Sequence, residues 1–98
     1  MATNRFLNRL KQLREARNIP QRELAYLLNI DTPMYSRLER GERKLKREQV
    51  VALADFHKDN SLLNLWAAEK VHDVLAEEDE PQKVLSIVSE QLVEYGKD

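Results

Sequence analysis

Apolar residues recur along this chain at three- and four-residue intervals, in runs broken by short polar stretches. That spacing is the period of amphipathic helices, each with one face turned to a core. The first run is Phe6, Leu7, Leu10 and Leu13, extended to Ala16. It predicts a helix from Asn4 to about Arg17, with Thr3 placed to cap it. After the break Asn18-Ile19-Pro20, a second helix is predicted from Gln21 to Leu28, with Leu24, Ala25, Leu27 and Leu28 inward. A third should cover Thr32 to Arg40, turning Tyr35 and Leu38 inward and leaving Thr32, Pro33, Ser36, Arg37 and Arg40 outward. A fourth is predicted from Arg47 to Phe56, with Val50, Val51, Leu53 and Ala54 inward. Asp59-Asn60-Ser61 offers caps for a fifth from about Ser61 to Ala76, with a broad apolar surface at Leu62, Leu65, Trp66, Val71, Val74 and Leu75. A last helix should start at Pro81 and reach about Tyr95, striped by Val84, Leu85, Val88, Leu92 and Tyr95.

Punctuation between the runs is specific. Pro20 suits a helix entry, because it has no amide proton to leave unpaired. Asn29 can adopt the left-handed backbone that a tight turn needs. Asp31 can accept hydrogen bonds from the free amides that open the third helix. Gly41 is a stop signal just past that helix. Ala25 lets the third helix pass close to the second, where a larger side chain would push it away. Two short helices meeting at such a turn form a helix-turn-helix, whose usual task is to set one helix in the major groove of DNA.

Composition narrows the class. The 98 residues suffice for one small domain and its modest core. Two glycines and three prolines leave long uninterrupted stretches, which favours an all-α fold. With no cysteine, disulfides, thiolate metal sites and cysteine nucleophiles are excluded. No apolar run reaches membrane-spanning length, and the first residues lack a secretion signal's apolar segment, so a cytoplasmic protein is expected. His57 and His72 lack ligand-spaced neighbours, and no nucleophile–base pair or phosphate loop is visible. Neither an enzyme nor a cofactor is therefore expected.

The net charge of −1 conceals a division. Up to Arg47 there are 12 Lys and Arg against 5 Asp and Glu; from Glu48 onward there are 4 against 12. The basic half suits a polyanion, and the acidic half would be repelled by one.

The stretch Leu10 to Phe56 resembles the lambda-repressor-like, Cro-type helix-turn-helix family, also called the XRE family. The resemblance lies in Arg14, Gln21-x-Glu23-Leu24-Ala25, Ile30, Ser36-Arg37-Leu38-Glu39-x-Gly41 and Val50-Val51-x-Leu53-Ala54. It implies a compact domain of four or five helices that binds double-stranded DNA as a dimer; with the helices read above, the expected fold is a lambda-repressor-like bundle with one or two extra C-terminal helices. By position, Gln21 matches a phosphate-touching glutamine, and Thr32, Pro33 and Arg37 match residues facing base edges. Arg40, Arg43 and Lys44 match positions near the DNA backbone, and Arg14 with Glu39 matches a largely buried ion pair. Arg22, Ser36 and Lys46 complete the expected DNA-facing set. Pro33 is a departure: it cannot hydrogen-bond a base edge, though it can touch a thymine methyl. Pro20 stands where a Ser or Thr cap is common, and Asp31 stands where an uncharged cap is usual.

Arg37 is the strongest expected base reader, since its planar fork fits O6 and N7 of guanine. Residues 1–76 are expected to form the DNA-binding domain, and 77–98 an acidic linker and a dimerisation or partner-binding helix. The dimer residues expected are Trp66, Val84, Leu85, Val88, Leu92 and Tyr95. The leading function is a transcriptional regulator, either a repressor or a controller of a restriction–modification system. The alternative is a DNA-binding antitoxin whose acidic C-terminal helices hold a basic toxin.

Overall fold

The computed structural model describes residues 4–95, which contain six α-helices and no strand. They are α1 (Arg5–Ala16), α2 (Gln21–Leu27), α3 (Thr32–Glu39), α4 (Arg47–His57), α5 (Ser61–Ala76) and α6 (Pro81–Tyr95). Thr3, expected as the first cap, lies outside the described residues. Asn4 caps α1 instead, its Oδ1 accepting from the Leu7 amide at 2.9 Å.

One core organises the first five helices. Leu10 of α1, Leu24 of α2, Tyr35 of α3, Val50 and Leu53 of α4 and Leu62 of α5 have no exposed surface. Phe6, Ile19, Ala25, Leu38, Leu45 and Ala54 complete it. Every member lies between positions 6 and 62, so the core is finished near the start of α5. The rest of α5 runs on beyond it, and α6 packs on α5.

Some apolar positions fall outside this core. Leu27 is 39% exposed, because Leu24, Ala25 and Leu28 share one arc of α2 and Leu27 sits off its edge. Ala16 is exposed at the end of α1. Val71 and Val74 are exposed at the far end of α5, where no other helix reaches over them from the core. His57 ends α4 buried, and neither ring nitrogen has a hydrogen-bond partner. Burial, with Arg17 nearby, lowers its pKa and favours the neutral ring.

Four helices stop in the same way. Each end has a residue with positive φ: Asn18, Asn29, Gly41 and Lys58. After α2, the Asn29 amide donates to Tyr26 O at 3.1 Å and the Ile30 amide to Ala25 O at 3.0 Å. After α3, the Gly41 amide donates to Leu38 O at 3.1 Å and the Glu42 amide to Arg37 O at 2.9 Å. These paired bonds satisfy carbonyls left open at a helix end, and they require left-handed backbone at one residue. Glycine and asparagine tolerate it, but lysine is strained there. Gly41 has a second reason for lacking a side chain, since a Cβ there would come within 2.9 Å of Leu7 Cδ1.

Lys58→Gly should relieve backbone strain at φ 54°. It is expected to stabilise the fold by about 0.5–1 kcal/mol in urea unfolding. Gly41→Ala should destabilise it in the same assay.

Candidate nucleic-acid interface

α3 is fixed by what it buries. Tyr35, Leu38 and Glu39 face the interior, Pro33, Arg37 and Arg40 are exposed on the opposite side, and Thr32 is exposed at the N-terminal end. Met34 and Ser36 lie half-buried between the two faces. Asp31 caps the helix, its Oδ1 accepting from the Met34 amide at 2.8 Å. Pro33 sits in the first turn, where the backbone amide it lacks would have no helical partner.

A basic segment follows. Arg43, Lys44 and Lys46 are exposed, while Leu45 between them is buried in the core. Leu45 therefore pins the segment to the body with its cations outward. The Lys46 amide donates to Gln49 Oε1 at 2.8 Å, fixing the entry to α4. Among the described residues, Arg37, Arg43, Lys44 and Lys46 form no ion pair. Arg40 differs: it pairs with Glu42, and its Nη1 donates to Ser36 Oγ at 2.6 Å. Arg22 is exposed on α2. Gln21 turns part of its side chain inward, Nε2 donating to Glu39 Oε1 at 3.3 Å.

The inner end of α3 is tied to α1. Arg14 Nε donates to Glu39 Oε2 at 2.9 Å, and Nη2 donates to Oε1 at 2.8 Å. Arg14 Nη1 also donates to Ile19 O at 3.2 Å, drawing in the α1–α2 turn. The Glu39 side chain is only 4% exposed, so the pair is well sheltered. Burial alone would raise the Glu39 pKa. Hydrogen bonds from Arg14, with its charge, outweigh that and hold the carboxyl below the ordinary range. Arg14 is raised chiefly by its bond to Glu39. Tyr35 Oη is buried without a well-formed hydrogen bond, near enough to Glu39 to feel its charge. Burial first, then that carboxylate, pushes the phenol pKa up.

Residues 5–58, more than half of the chain, match the family model described as a helix-turn-helix domain. The chain belongs to this helix-turn-helix family. No curated protein and no solved structure matches it. In helix-turn-helix terms α2 and α3 are the two helices of the motif, Asn29 is its turn, and the Arg14–Glu39 pair braces α3 from behind.

The helix-turn-helix unit leaves the other expected residues elsewhere. Trp66 is half-buried against the core and has Lys70 Nζ 3.9 Å from its ring centroid. It lines an open cleft of about 220 Å³ with Phe6 and Leu7 of α1, Gly41, Arg43, Lys44 and Leu45, and Glu69 and Asp73. The α6 positions differ: Leu85, Val88 and Leu92 are 41%, 41% and 65% exposed, and Val84 is half-buried. Tyr95 is the last residue of α6. The link from Arg40 to Ser36 and Glu42 has only a faint signal in sequence, an acid two positions beyond an arginine with a glycine between.

Removing one partner of the sheltered pair strands the other charge. Arg14→Met or Glu39→Met should each cost about 3 kcal/mol, while the double replacement should recover most of that loss. Urea unfolding of the three variants checks it. Glu39 is depressed in the folded state, so its stabilisation is full above the unfolded carboxylate pKa of about 4.3 and fades as pH falls through its lower folded value. Glu39→Gln should flatten the pH dependence of stability in that acid window.

Proposed function

We propose that this helix-turn-helix protein is a sequence-specific transcriptional regulator that binds duplex DNA as a homodimer. α3 enters the major groove, Arg37 reads a guanine, and Thr32 and Pro33 make small or apolar contacts suited to thymine methyls. Arg40, Arg43, Lys44 and Lys46, with Gln21, Arg22 and Ser36, serve the phosphate backbone or the groove edge. The observation that carries this reading is the outward face of α3. Arg37 stands exposed there without an ion-pair partner among the described residues, and three more unpaired cations follow α3 on the segment that buried Leu45 anchors.

Dimerisation rests on a second observation. Val71 and Val74 of α5 and Leu85, Ile87, Val88, Leu92 and Val93 of α6 are 41–65% exposed. Leu85, Val88 and Leu92 share one arc of α6, an apolar stripe suited to a partner surface. A second copy supplies its cover and brings two reading helices to half-sites about one DNA turn apart. Within residues 77–98, α6 thus acts as the dimerisation element, joined by an acidic linker to a DNA-binding domain of residues 1–76. No helix among the described residues is long and apolar enough to cross a membrane, and a cytoplasmic site of action fits.

Arg37→Ala should lower affinity for a duplex enriched by the protein by about 1–3 kcal/mol and relax the choice at one base pair. Fluorescence anisotropy on single-base variants checks this. An equal loss on every sequence would make Arg37 a phosphate contact. Leu92→Asp should halve the solution mass measured by light scattering and leave the helical content intact. An unchanged dimer mass would move the seam away from α6, and a monomeric wild type bound to a second protein would favour the antitoxin role.

A further inference from the structure

The Arg40 guanidinium is already engaged. It pairs with the Glu42 carboxylate, and its Nη1 donates to Ser36 Oγ at 2.6 Å. Glu42 is held in place by backbone geometry. Its amide donates to Arg37 O at 2.9 Å, and Gly41 at φ +81° turns the chain back over the end of α3. The carboxylate is close enough to feel the charge of Arg37 as well as Arg40. Both residues of the pair remain more than half exposed, at 56% and 54%. Exposed pairs of this kind add little to folding. The effect of Glu42 therefore falls on what the surrounding cations can bind.

We infer that Glu42 is an electrostatic brake on DNA affinity, offsetting the Arg40 charge so that Arg40 holds a phosphate more weakly than an unpaired arginine would. The inference rests on the DNA-binding reading of α3 and adds a residue that tunes it. Glu42 takes Nε and Ser36 takes Nη1, so a phosphate at the remaining Arg40 donors shares the guanidinium with a carboxylate that repels it. Phosphate contacts carry no sequence information, so the brake acts alike on every duplex. It lowers binding to bulk DNA without altering what Arg37 reads. Ser36, by accepting from Arg40, keeps the guanidinium over α3, ready for transfer to a phosphate.

The test is anisotropy across a salt series, on an enriched duplex and on a scrambled one. Glu42→Gln is expected to tighten both several-fold and by the same factor. It should also steepen the plot of log K against log salt, by up to about 0.9, the change for one full phosphate contact on B-DNA. Asp79→Asn removes the same charge from the α5–α6 linker and should change neither quantity comparably. In an Arg40→Gln background, Glu42→Gln should have no more effect than Asp79→Asn. Equal effects of Glu42→Gln and Asp79→Asn would overturn the inference, as would an undiminished gain without Arg40. Binding by the wild type with an unchanged salt slope in Glu42→Gln overturns the brake alone. Absence of DNA binding in both proteins overturns the DNA-binding reading with it.

Discussion

The bidentate contact between Arg14 and Glu39 is the constraint on which the presentation of α3 depends. A helix of eight residues is too short to hold itself in water, so its angle must come from tertiary contacts. Tyr35 and Leu38 bury its inner face, but packing alone lets a short helix slide or roll. The ion pair removes that freedom at the C-terminal end, where Glu39 meets α1, and Arg14 extends the hold to the α1–α2 turn through Ile19 O. Gln21 joins the same carboxylate, so the start of α2 is registered against the end of α3. The net stability of such a pair is small, because desolvation offsets much of the attraction. Its value is geometric: it sets which side of α3 meets solvent.

The chain divides labour along its length in charge and in burial. The core runs through the basic half and past it, closing by Leu62 in the first turn of α5. Beyond it lie an acidic linker and helices whose aliphatic side chains stay exposed. A polyanion is drawn to the first half and repelled by the second, which orients the molecule on DNA before any contact forms. Within the basic half the charge is also tempered. Asp31 caps α3 at one end and Glu42 holds Arg40 at the other, so the cations of the outward α3 face are bounded by carboxylates.

Much of this was legible in the residues. The helix periods located all six helices to within about two residues, because apolar stripes and breaks at Pro20, Gly41 and Pro81 mark the boundaries. The left-handed turn at Asn29 and the Asp31 cap followed from local backbone chemistry. Other features depend on tertiary placement. A lone histidine carries no sign of its burial, yet His57 is enclosed where α4 ends. Lys58 looks like an ordinary surface lysine and is the left-handed stop of α4. Leu27 follows the apolar pattern but falls off the buried arc, and nothing in the sequence shows that Trp66 lines a cleft beside α1. At the reading face the residue types were visible, and the prior engagement of Arg40 and Gln21 was not.

The central claim is that two copies of α3, each braced from behind, read two related half-sites. Selection of bound duplexes from a random pool by the full chain tests it most directly. The account predicts an enriched motif with two-fold symmetry, half-site centres about 10 base pairs apart, and a guanine within each half-site. Recovery of sequences with no shared motif at physiological salt would contradict it.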